Sequence, residues 1–262
     1  MDLSKLTHQV VDIAKEVGDF IRKEAVNFGP DKIEYKGVND LVSYVDKTAE
    51  QKLVNSLTLL LPAAGFITEE GTVSIQGEHY NWIIDPLDGT TNFIHGVPTY
   101  SVSIALTRDE ELVIGVVYEI NRDEAFYAWK DGGAFLNGEP ISISKSQTFS
   151  STLIATGFPY YDFSKQEQYL NAFNELIQTC HGLRRIGSAA VDLAYTACGR
   201  FDGFFEFNLN AWDVAGGALI VQEAGGVVLD FSGGTDFINS RQVVAGNAHI
   251  ANHLVQVLQK HF

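Results

Sequence analysis

Residues 82–91 read W-I-I-D-P-L-D-G-T-T, an apolar strand pattern that runs into two aspartates and a glycine-led turn. Asp85 and Asp88 offer hard oxygen ligands, which divalent cations such as Mg²⁺ prefer to nitrogen or sulfur. If Gly89 and Thr90 open a helix, their free backbone N–H groups form a site for an anion. This one segment therefore predicts a metal site beside a phosphate site.

The spacing of the two aspartates argues against a covalent aspartyl-phosphate mechanism. Enzymes of that type place the two acids two residues apart, so that both carboxylates lie on one face of a strand end. Asp85 and Asp88 are three residues apart, and Pro86 lacks the N–H that would continue the ladder, so the strand is expected to end at Asp85. The spacing favours shared metal coordination, with the Leu87 carbonyl between the two side chains. By itself it also fits an aspartate that ends a strand and a second one that caps a helix.

Other acidic residues are candidates for the same site. Glu69 and Glu70 follow a strand predicted at residues 65–68, and only one of them is expected to enter the site, because adjacent residues on an extended chain point to opposite faces. Asp46 lies beside apolar residues in a predicted helix, so it is either a surface residue or a buried functional group. Asp213 falls in the first turn of another helix, where an acid also compensates the helix dipole.

The composition is that of a compact globular protein with a strong negative charge. The chain has 262 residues, 45% of them hydrophobic, and its 33 acidic against 18 basic residues give a net charge of −15. This charge disfavours nucleic acid and anionic membranes as partners, and cations held by carboxylates would reconcile it with a phosphate substrate. The apolar run 57–64 is too short to span a bilayer, and residues 1–8 lack a secretory pattern, so a cytoplasmic location is expected.

The pattern of predicted elements divides the chain into two unequal halves of one compact unit, residues 1–145 and 146–262. The first half begins with amphipathic helices over residues 3–20 and 45–61, and continues with an antiparallel meander over residues 100–144. The second half alternates, with strands at 151–157, 184–186, 201–207, 227–231 and 243–245 and helices at 165–180, 188–198, 211–224 and 249–260. A layered α/β arrangement fits this order of elements.

The motifs resemble those of the inositol monophosphatase family, which belongs to the lithium-sensitive, magnesium-dependent sugar phosphatases. The resemblance rests on residues 82–93, on T-E-E at 68–70 and on W-D-V-A-G at 212–216, which occur in the family's order and span nearly the whole chain. It implies an α/β (α+β) fold with αβαβα layers, and Mg²⁺-dependent hydrolysis of phosphate monoesters such as inositol monophosphate. It also implies a homodimer.

The resemblance further implies two or three Mg²⁺ ions per subunit. Glu69, Asp85 and the Leu87 carbonyl correspond to ligands of the first ion, and Asp85, Asp88 and Asp213 to ligands of the second. Glu69 also corresponds to the residue that faces a weaker third ion through water.

Catalytic and substrate-binding residues are implied in the same way. Thr90, supported by Asp46, corresponds to the pair that orients and deprotonates the attacking water. Lys36 and Arg184 fall at positions where the family often carries a basic residue. The residues expected to meet the phosphate or the alcohol are Asp88, Gly89, Thr90, Gly187, Ser188, Ala189, Glu206 and Asp213.

Two kinds of alternative remain open. A phosphatase for sugar bisphosphates, 3′-phosphonucleotides or the NADP 2′-phosphate would share the metal ligands and differ in the pocket wall. A regulatory member of the fold without catalysis would be expected to lose at least one acid, and every implied acid is present in this chain.

Overall fold

The larger of two main sheets carries most of the predicted metal ligands. The computed structural model describes residues 1–29, 33–37, 40–73, 75–158 and 163–262. The sheet has seven strands in chain order, namely β3 Gly65–Thr68, β4 Tyr80–Asp88, β5 Ser101–Arg108, β6 Glu111–Glu119, β7 Glu124–Trp129, β8 Gly133–Leu136 and β9 Glu139–Pro140. Strands β3 and β4 are parallel and the others are antiparallel, which confirms the predicted meander.

Two long helices cover one face of this sheet. Helix α1 (Leu3–Val26) buries an apolar stripe against β5–β7, and α2 (Tyr44–Leu60) packs beside it against β4. Both begin at capping side chains, because the oxygens of Asp2 and Ser43 accept backbone N–H groups that the helices leave unpaired. Before α2, a short antiparallel pair links β1 (Ile33–Gly37) to β2 (Asp40–Ser43), which the sequence pattern did not predict.

The second sheet lies in the later part of the chain and has a mixed topology. Its strand order is β11-β10-β12-β14-β13, with β10 parallel to β11 and β12 and the remaining pairs antiparallel. The strands are β10 Leu153–Thr156, β11 Gly182–Arg184, β12 Gly203–Phe207, β13 Val227–Leu229 and β14 Gln242–Gly246. The helices are α4 Gln166–Thr179, α5 Ala189–Ala197, α6 Ala211–Glu223 and α7 Ala248–His261.

These elements form five layers. Helices α1 and α2 lie outside the first sheet, α5 and α6 lie between the sheets, and α4 and α7 lie outside the second. The apolar side chains of α5 and α6 join the two sheets in a shared core. This arrangement confirms the predicted αβαβα fold, whereas the division into halves at residues 145–150 stays a prediction. No helix in the described part of the chain has both the length and the apolar character needed to span a bilayer.

Two boundaries near the predicted site differ from expectation. Strand β4 does not end at Asp85, because its ladder with β5 resumes at Asp88 after a register shift. This bulge accommodates Pro86, which has no N–H to donate. Strand β11 ends at Arg184 rather than covering residues 184–186, since its parallel pairing with β10 begins at Gly182.

Helix α6 approaches the first sheet closely through two glycines. A Cβ atom at Gly115 of β6 would lie 2.4 Å from the carbonyl oxygen of Gly216 in α6, and a Cβ atom at Gly216 would lie 3.2 Å from the Ile104 carbonyl oxygen. The absence of side chains at both positions lets α6 lie directly on the strands. This contact places the start of α6, with Asp213, beside the end of β4.

We predict that Gly115→Ala lowers the free energy of unfolding by about 1–3 kcal/mol, because the new methyl group forces α6 away from the sheet. Urea unfolding measures the change. Gly182→Ala is the matched control, since its methyl group would have no neighbour closer than 3.4 Å. Equal stability of the two variants would contradict the assigned role of the α6 contact.

Candidate active site

A pocket forms where the end of β4 meets the starts of α3 (Thr90–Ile94), α5 and α6 and the end of β12. Asp46 lies behind the pocket wall, where it bonds to the side chain of Thr90. The sequence-predicted residues that line the pocket are Glu69, Asp85, Leu87, Asp88, Gly89, Thr90, Gly187, Ser188, Ala189, Glu206 and Asp213. The structure therefore brings together the whole set, although its members span nearly 170 residues of sequence.

The turn between β4 and α3 depends on glycine. Gly89 has a φ of 97°, a left-handed conformation that residues with a side chain rarely adopt. A Cβ atom there would also lie 3.1 Å from the Thr99 carbonyl oxygen and 3.3 Å from that of Gly187. Asn92 then ties the turn to its surroundings, because its Nδ2 donates to the carbonyls of Thr99 (2.7 Å) and Ile186 (2.8 Å).

Thr90 and Asp46 form a directly bonded pair. Thr90 Oγ1 donates to Asp46 Oδ1 at 2.8 Å and also lies 3.0 Å from the Leu87 carbonyl oxygen. Asp46 is fully buried, and its Oδ2 accepts hydrogen bonds from the backbone N (2.8 Å) and Oγ (2.6 Å) of Ser43. Burial raises the pKa of Asp46, and the bonds from Ser43 and Thr90 oppose that rise. A hydroxyl held by a carboxylate in this way can accept a proton while releasing its own.

The first pair of predicted metal ligands is strongly perturbed. Asp85 is buried, and Glu69 is half-buried at the pocket wall. Burial and the nearby negative charges raise the pKa of both groups well above their ordinary values, and the two side chains share a hydrogen bond. Two carboxyl groups that share a hydrogen bond can share one proton, or both can ionise when a cation lies between them.

Asp88 and Asp213 form the second part of the acidic cluster. Burial raises the pKa of Asp88 to about 6 and that of Asp213 to about 7. Asp88 Oδ2 accepts hydrogen bonds from Ser188 Oγ (2.5 Å) and the backbone N–H of Ala190 (2.7 Å), which fix the carboxylate against the start of α5. Asp213 closes a capping box with Asn210, whose backbone N–H donates to Asp213 Oδ2 at 2.6 Å.

The donor set fits a hard divalent cation. Carboxylate and carbonyl oxygens are the groups that Mg²⁺ prefers. Burial, together with the negative charge of neighbouring acids, raises the pKa of Glu69, Asp85 and Asp213. No group of three or more His, Cys, Asp or Glu side chains in the described part of the chain already stands in ligating geometry.

Glu50, which sequence reasoning did not single out, holds the loop that carries Glu69. It is fully buried in α2, and its Oε1 accepts hydrogen bonds from Thr68 Oγ1 (2.9 Å) and the backbone N–H of Thr72 (2.8 Å). Its Oε2 accepts the backbone N–H of Glu70 at 2.7 Å. The sequence signal for Glu50 is a glutamate that falls within the apolar pattern of a helix.

Arg185 and Asp192 were also missed. Of the described residues that line the pocket, Arg185 is the one basic residue, and its charge opposes the rise in pKa that burial causes at Asp88 and Glu206. Arg184, which the family resemblance favoured, is exposed and does not line the pocket, and the side chain of Lys36 lies outside the described residues. The remaining lining residues are Thr91, Gly157, Phe158, Phe207, Asn208, Leu209 and Asn210.

Comparison with known proteins identifies the family of this chain. The sequence profile of the Inositol monophosphatase family matches residues 2–261. The chain belongs to this family. The sequence motifs indicated the same family, and this prediction is confirmed.

Individual relatives carry two kinds of name. The chain is 41% identical over 261 residues to a Dictyostelium discoideum protein named inositol monophosphatase, covering 98% of this chain and 96% of that protein. It is 42% identical over 253 residues to a Pseudomonas aeruginosa protein named Nus factor SuhB, covering 95% and 93%.

Solved structures of proteins with both kinds of name share the fold of this chain. The inositol monophosphatase from Anabaena (Nostoc) sp. matches with a TM-score of 0.88 at 30% identity, covering 100% of this chain and 98% of that chain. The extragenic suppressor protein suhB from Bartonella henselae matches with a TM-score of 0.91 at 40% identity, covering 97% and 98%. Both matches confirm the layered fold with two sheets.

We predict that Glu50→Ala lowers the free energy of unfolding by about 2–4 kcal/mol, because it leaves buried donors of the Thr68–Thr72 loop without an acceptor. Amide hydrogen exchange at Glu70 and Thr72 should accelerate in the variant. Glu16→Ala, an exposed glutamate on α1, is the control. Unchanged exchange at both amides would show that Glu50 does not hold this loop.

We predict that the cation-free protein becomes less stable as the pH rises from about 4 to 7. Asp88 and Asp213 have a pKa of about 6 and about 7 when folded, against 3.8 ordinarily, so the folded state binds more protons in this interval. Added Mg²⁺ should raise the melting temperature more at pH 7.5 than at pH 5, because fewer protons compete with it.

Asp213→Asn is the matched variant for this measurement. It removes one titrating group, so the melting temperature of the cation-free variant should vary less with pH than that of the unmodified chain. If the melting temperature varies equally with pH in the two proteins, Asp213 is not responsible for the loss of stability at higher pH.

Proposed function

We propose that the chain hydrolyses phosphate monoesters with the help of Mg²⁺. The observation that carries this proposal is the meeting of the Thr90–Asp46 pair with the acidic cluster in a single pocket. A family profile over residues 2–261 supports a phosphatase of the inositol monophosphatase type.

The acidic cluster provides the groups to hold the cations. Glu69, Asp85 and the Leu87 carbonyl would hold the first Mg²⁺, and Asp85, Asp88 and Asp213 would hold the second, while Glu69 would also face a third ion. When bound, Mg²⁺ supplies positive charge that lowers the pKa of water and neutralises the phosphate and the leaving oxygen. The raised pKa values of the acids support this role, since a nearby cation would favour their ionised forms.

Thr90 and Asp46 then act on the attacking water. The water gives a proton to Thr90 Oγ1 as Thr90 passes its own proton to Asp46 Oδ1, along the 2.8 Å hydrogen bond between them. Threonine is a weak base on its own, so the reaction depends on the carboxylate behind it. The bonds from Ser43 keep Asp46 in place for this transfer.

Backbone and side-chain groups around the pocket bind the substrate. The N–H groups of Gly89 and Thr90 bind the phosphate oxygens, and the segment Gly187, Ser188 and Ala189 faces the alcohol. Glu206 accepts hydrogen bonds from hydroxyl groups of the alcohol, and Asp88 and Asp213 also contact the substrate.

Inositol monophosphate is the leading substrate. Relatives at 38–41% identity that are named inositol monophosphatase support this choice. Fructose-1,6-bisphosphate, the NADP 2′-phosphate and 3′-phosphonucleotides are the alternatives within the same chemistry. We further propose lithium sensitivity, a homodimer and a cytoplasmic location, as the family resemblance implies, and no binding of nucleic acid or membrane.

A second candidate is a regulatory role without catalysis. Relatives named Nus factor SuhB at 41–42% identity favour it. The complete set of acids, together with the bonded Thr90–Asp46 pair, supports catalysis in preference.

We predict that Asp88→Asn lowers Mg²⁺-dependent phosphate release from inositol-1-phosphate by at least about 100-fold, because it removes a charged metal ligand. Asparagine keeps an oxygen that can accept from Ser188 and Ala190, so the far-ultraviolet circular dichroism should stay unchanged. Asp12→Asn, at an exposed position on α1, should keep full activity.

A panel of substrates separates the candidate functions. Phosphate release is measured with inositol-1-phosphate, fructose-1,6-bisphosphate, NADP and a 3′-phosphonucleotide, each with Mg²⁺ and with added Li⁺. Full activity in Asp88→Asn would refute the metal assignment, and no release from any substrate would favour the regulatory role.

A further inference from the structure

Asp192 is a buried carboxyl group on the pocket wall whose chemistry the proposed mechanism does not use. It lies in the first turn of α5, within the sequence A-A-V-D-L-A, and is 1% exposed. Its Oδ1 has no hydrogen-bond partner among the described residues. The residue lines the pocket beside Ser188 and Ala189.

A carboxyl group in this position requires a physical reason. A buried polar atom without a partner destabilises the folded protein, and most such atoms in native structures are satisfied. The neighbours of Asp192 in α5 are apolar core residues, so a hydrophobic side chain would stabilise this helix better. Burial and the charges of Glu206 and Asp88 raise the pKa of Asp192, and the charge of Arg185 opposes that rise.

Asp192 shares this part of the wall with Glu206. Glu206 lies on β12, is 7% exposed and lines the same pocket. Its carboxyl group packs against the backbone of Gly157, where a Cβ atom would lie 1.9 Å from Oε1. The charge of Glu206 is the largest electrostatic contribution to the raised pKa of Asp192, which places the two acids close together.

We propose that Asp192 is a specificity-determining residue that accepts a hydrogen bond from a hydroxyl of the leaving alcohol, beside the one that Glu206 accepts. The proposal rests on the proposed function, since it concerns the alcohol half of the same substrate. Two neighbouring acceptors suit the adjacent hydroxyls of a polyol. A second phosphate group offers few donors and adds negative charge, so the wall selects polyol monophosphates against bisphosphates.

The test compares two esters that share a six-membered ring and a phosphate. Inositol-1-phosphate carries ring hydroxyls, and cyclohexyl phosphate carries none. We expect Asp192→Ala to lower kcat/KM for inositol-1-phosphate by about 10- to 100-fold and that for cyclohexyl phosphate by less than about threefold. Asp192→Asn keeps one acceptor oxygen and should restore part of the loss.

Melting temperature provides a second readout. Both Asp192 variants should melt no lower than the unmodified chain, because they remove a buried carboxyl group whose Oδ1 has no hydrogen-bond partner. Asp230→Ala is the matched control, since Asp230 is also buried but accepts from Ser232 N (2.8 Å), Ser232 Oγ (2.5 Å) and Gly234 N (2.9 Å). The control should melt lower and keep the preference for inositol-1-phosphate.

Two results would overturn the proposal. One is an equal loss of kcat/KM for both esters in Asp192→Ala, and the other is no loss for either ester. If the unmodified chain releases phosphate from neither ester, the proposed function fails separately. Calorimetric titration of inositol-1-phosphate, with Mg²⁺ present, then tests the role of Asp192. The proposal requires that Asp192→Ala binds inositol-1-phosphate more weakly than the unmodified chain, and equal binding would overturn it.

Discussion

The repulsion among carboxylates in one pocket is the constraint on which the arrangement of this protein depends. Burial and mutual charge raise the pKa of each acid in the cluster, so the folded chain must hold these groups together against their electrostatics. It does so with hydrogen bonds from neighbouring elements. Ser43 fixes Asp46, and the start of α5 fixes Asp88. A site built on such fixed groups gains a large stabilisation when a cation enters it.

The layered fold helps to hold the acidic cluster together. The central helices α5 and α6 both begin at the pocket, with Ser188 as the N-cap of α5 and Asp213 in the first turn of α6. The N-terminal ends of helices carry partial positive charge, which offsets part of the negative charge nearby. Gly115 and Gly216 permit the close contact that brings α6 to the sheet. Core packing and site electrostatics therefore depend on the same two helices.

The sequence predicted the fold class from local patterns, and the family resemblance supplied the site residues that the structure brings together in one pocket. The strand, turn and glycine of residues 82–91 determine the conformation of the β4–α3 turn directly, and Gly89 has the left-handed φ that such a turn requires. Helix periods and turn residues located the remaining layers to within a few positions. The bulge after Asp85 was missed, because a proline can end a ladder or be bypassed, and the neighbouring strand decides between these outcomes.

Glu50, Arg185 and Asp192 could not be assigned in this way, because their roles depend on contacts between distant segments. Arg185 directly follows a residue of similar chemistry, and the end of β11 decides which of the two arginines reaches the pocket. With net charge −15, the protein has most of its acids on the surface, so composition cannot indicate which ones converge. An acid inside an apolar helix pattern, such as Glu50 or Asp192, stands out as a candidate, and the folded structure then decides whether it is buried. Such a residue signals a ligand wherever the folded structure leaves it without a partner.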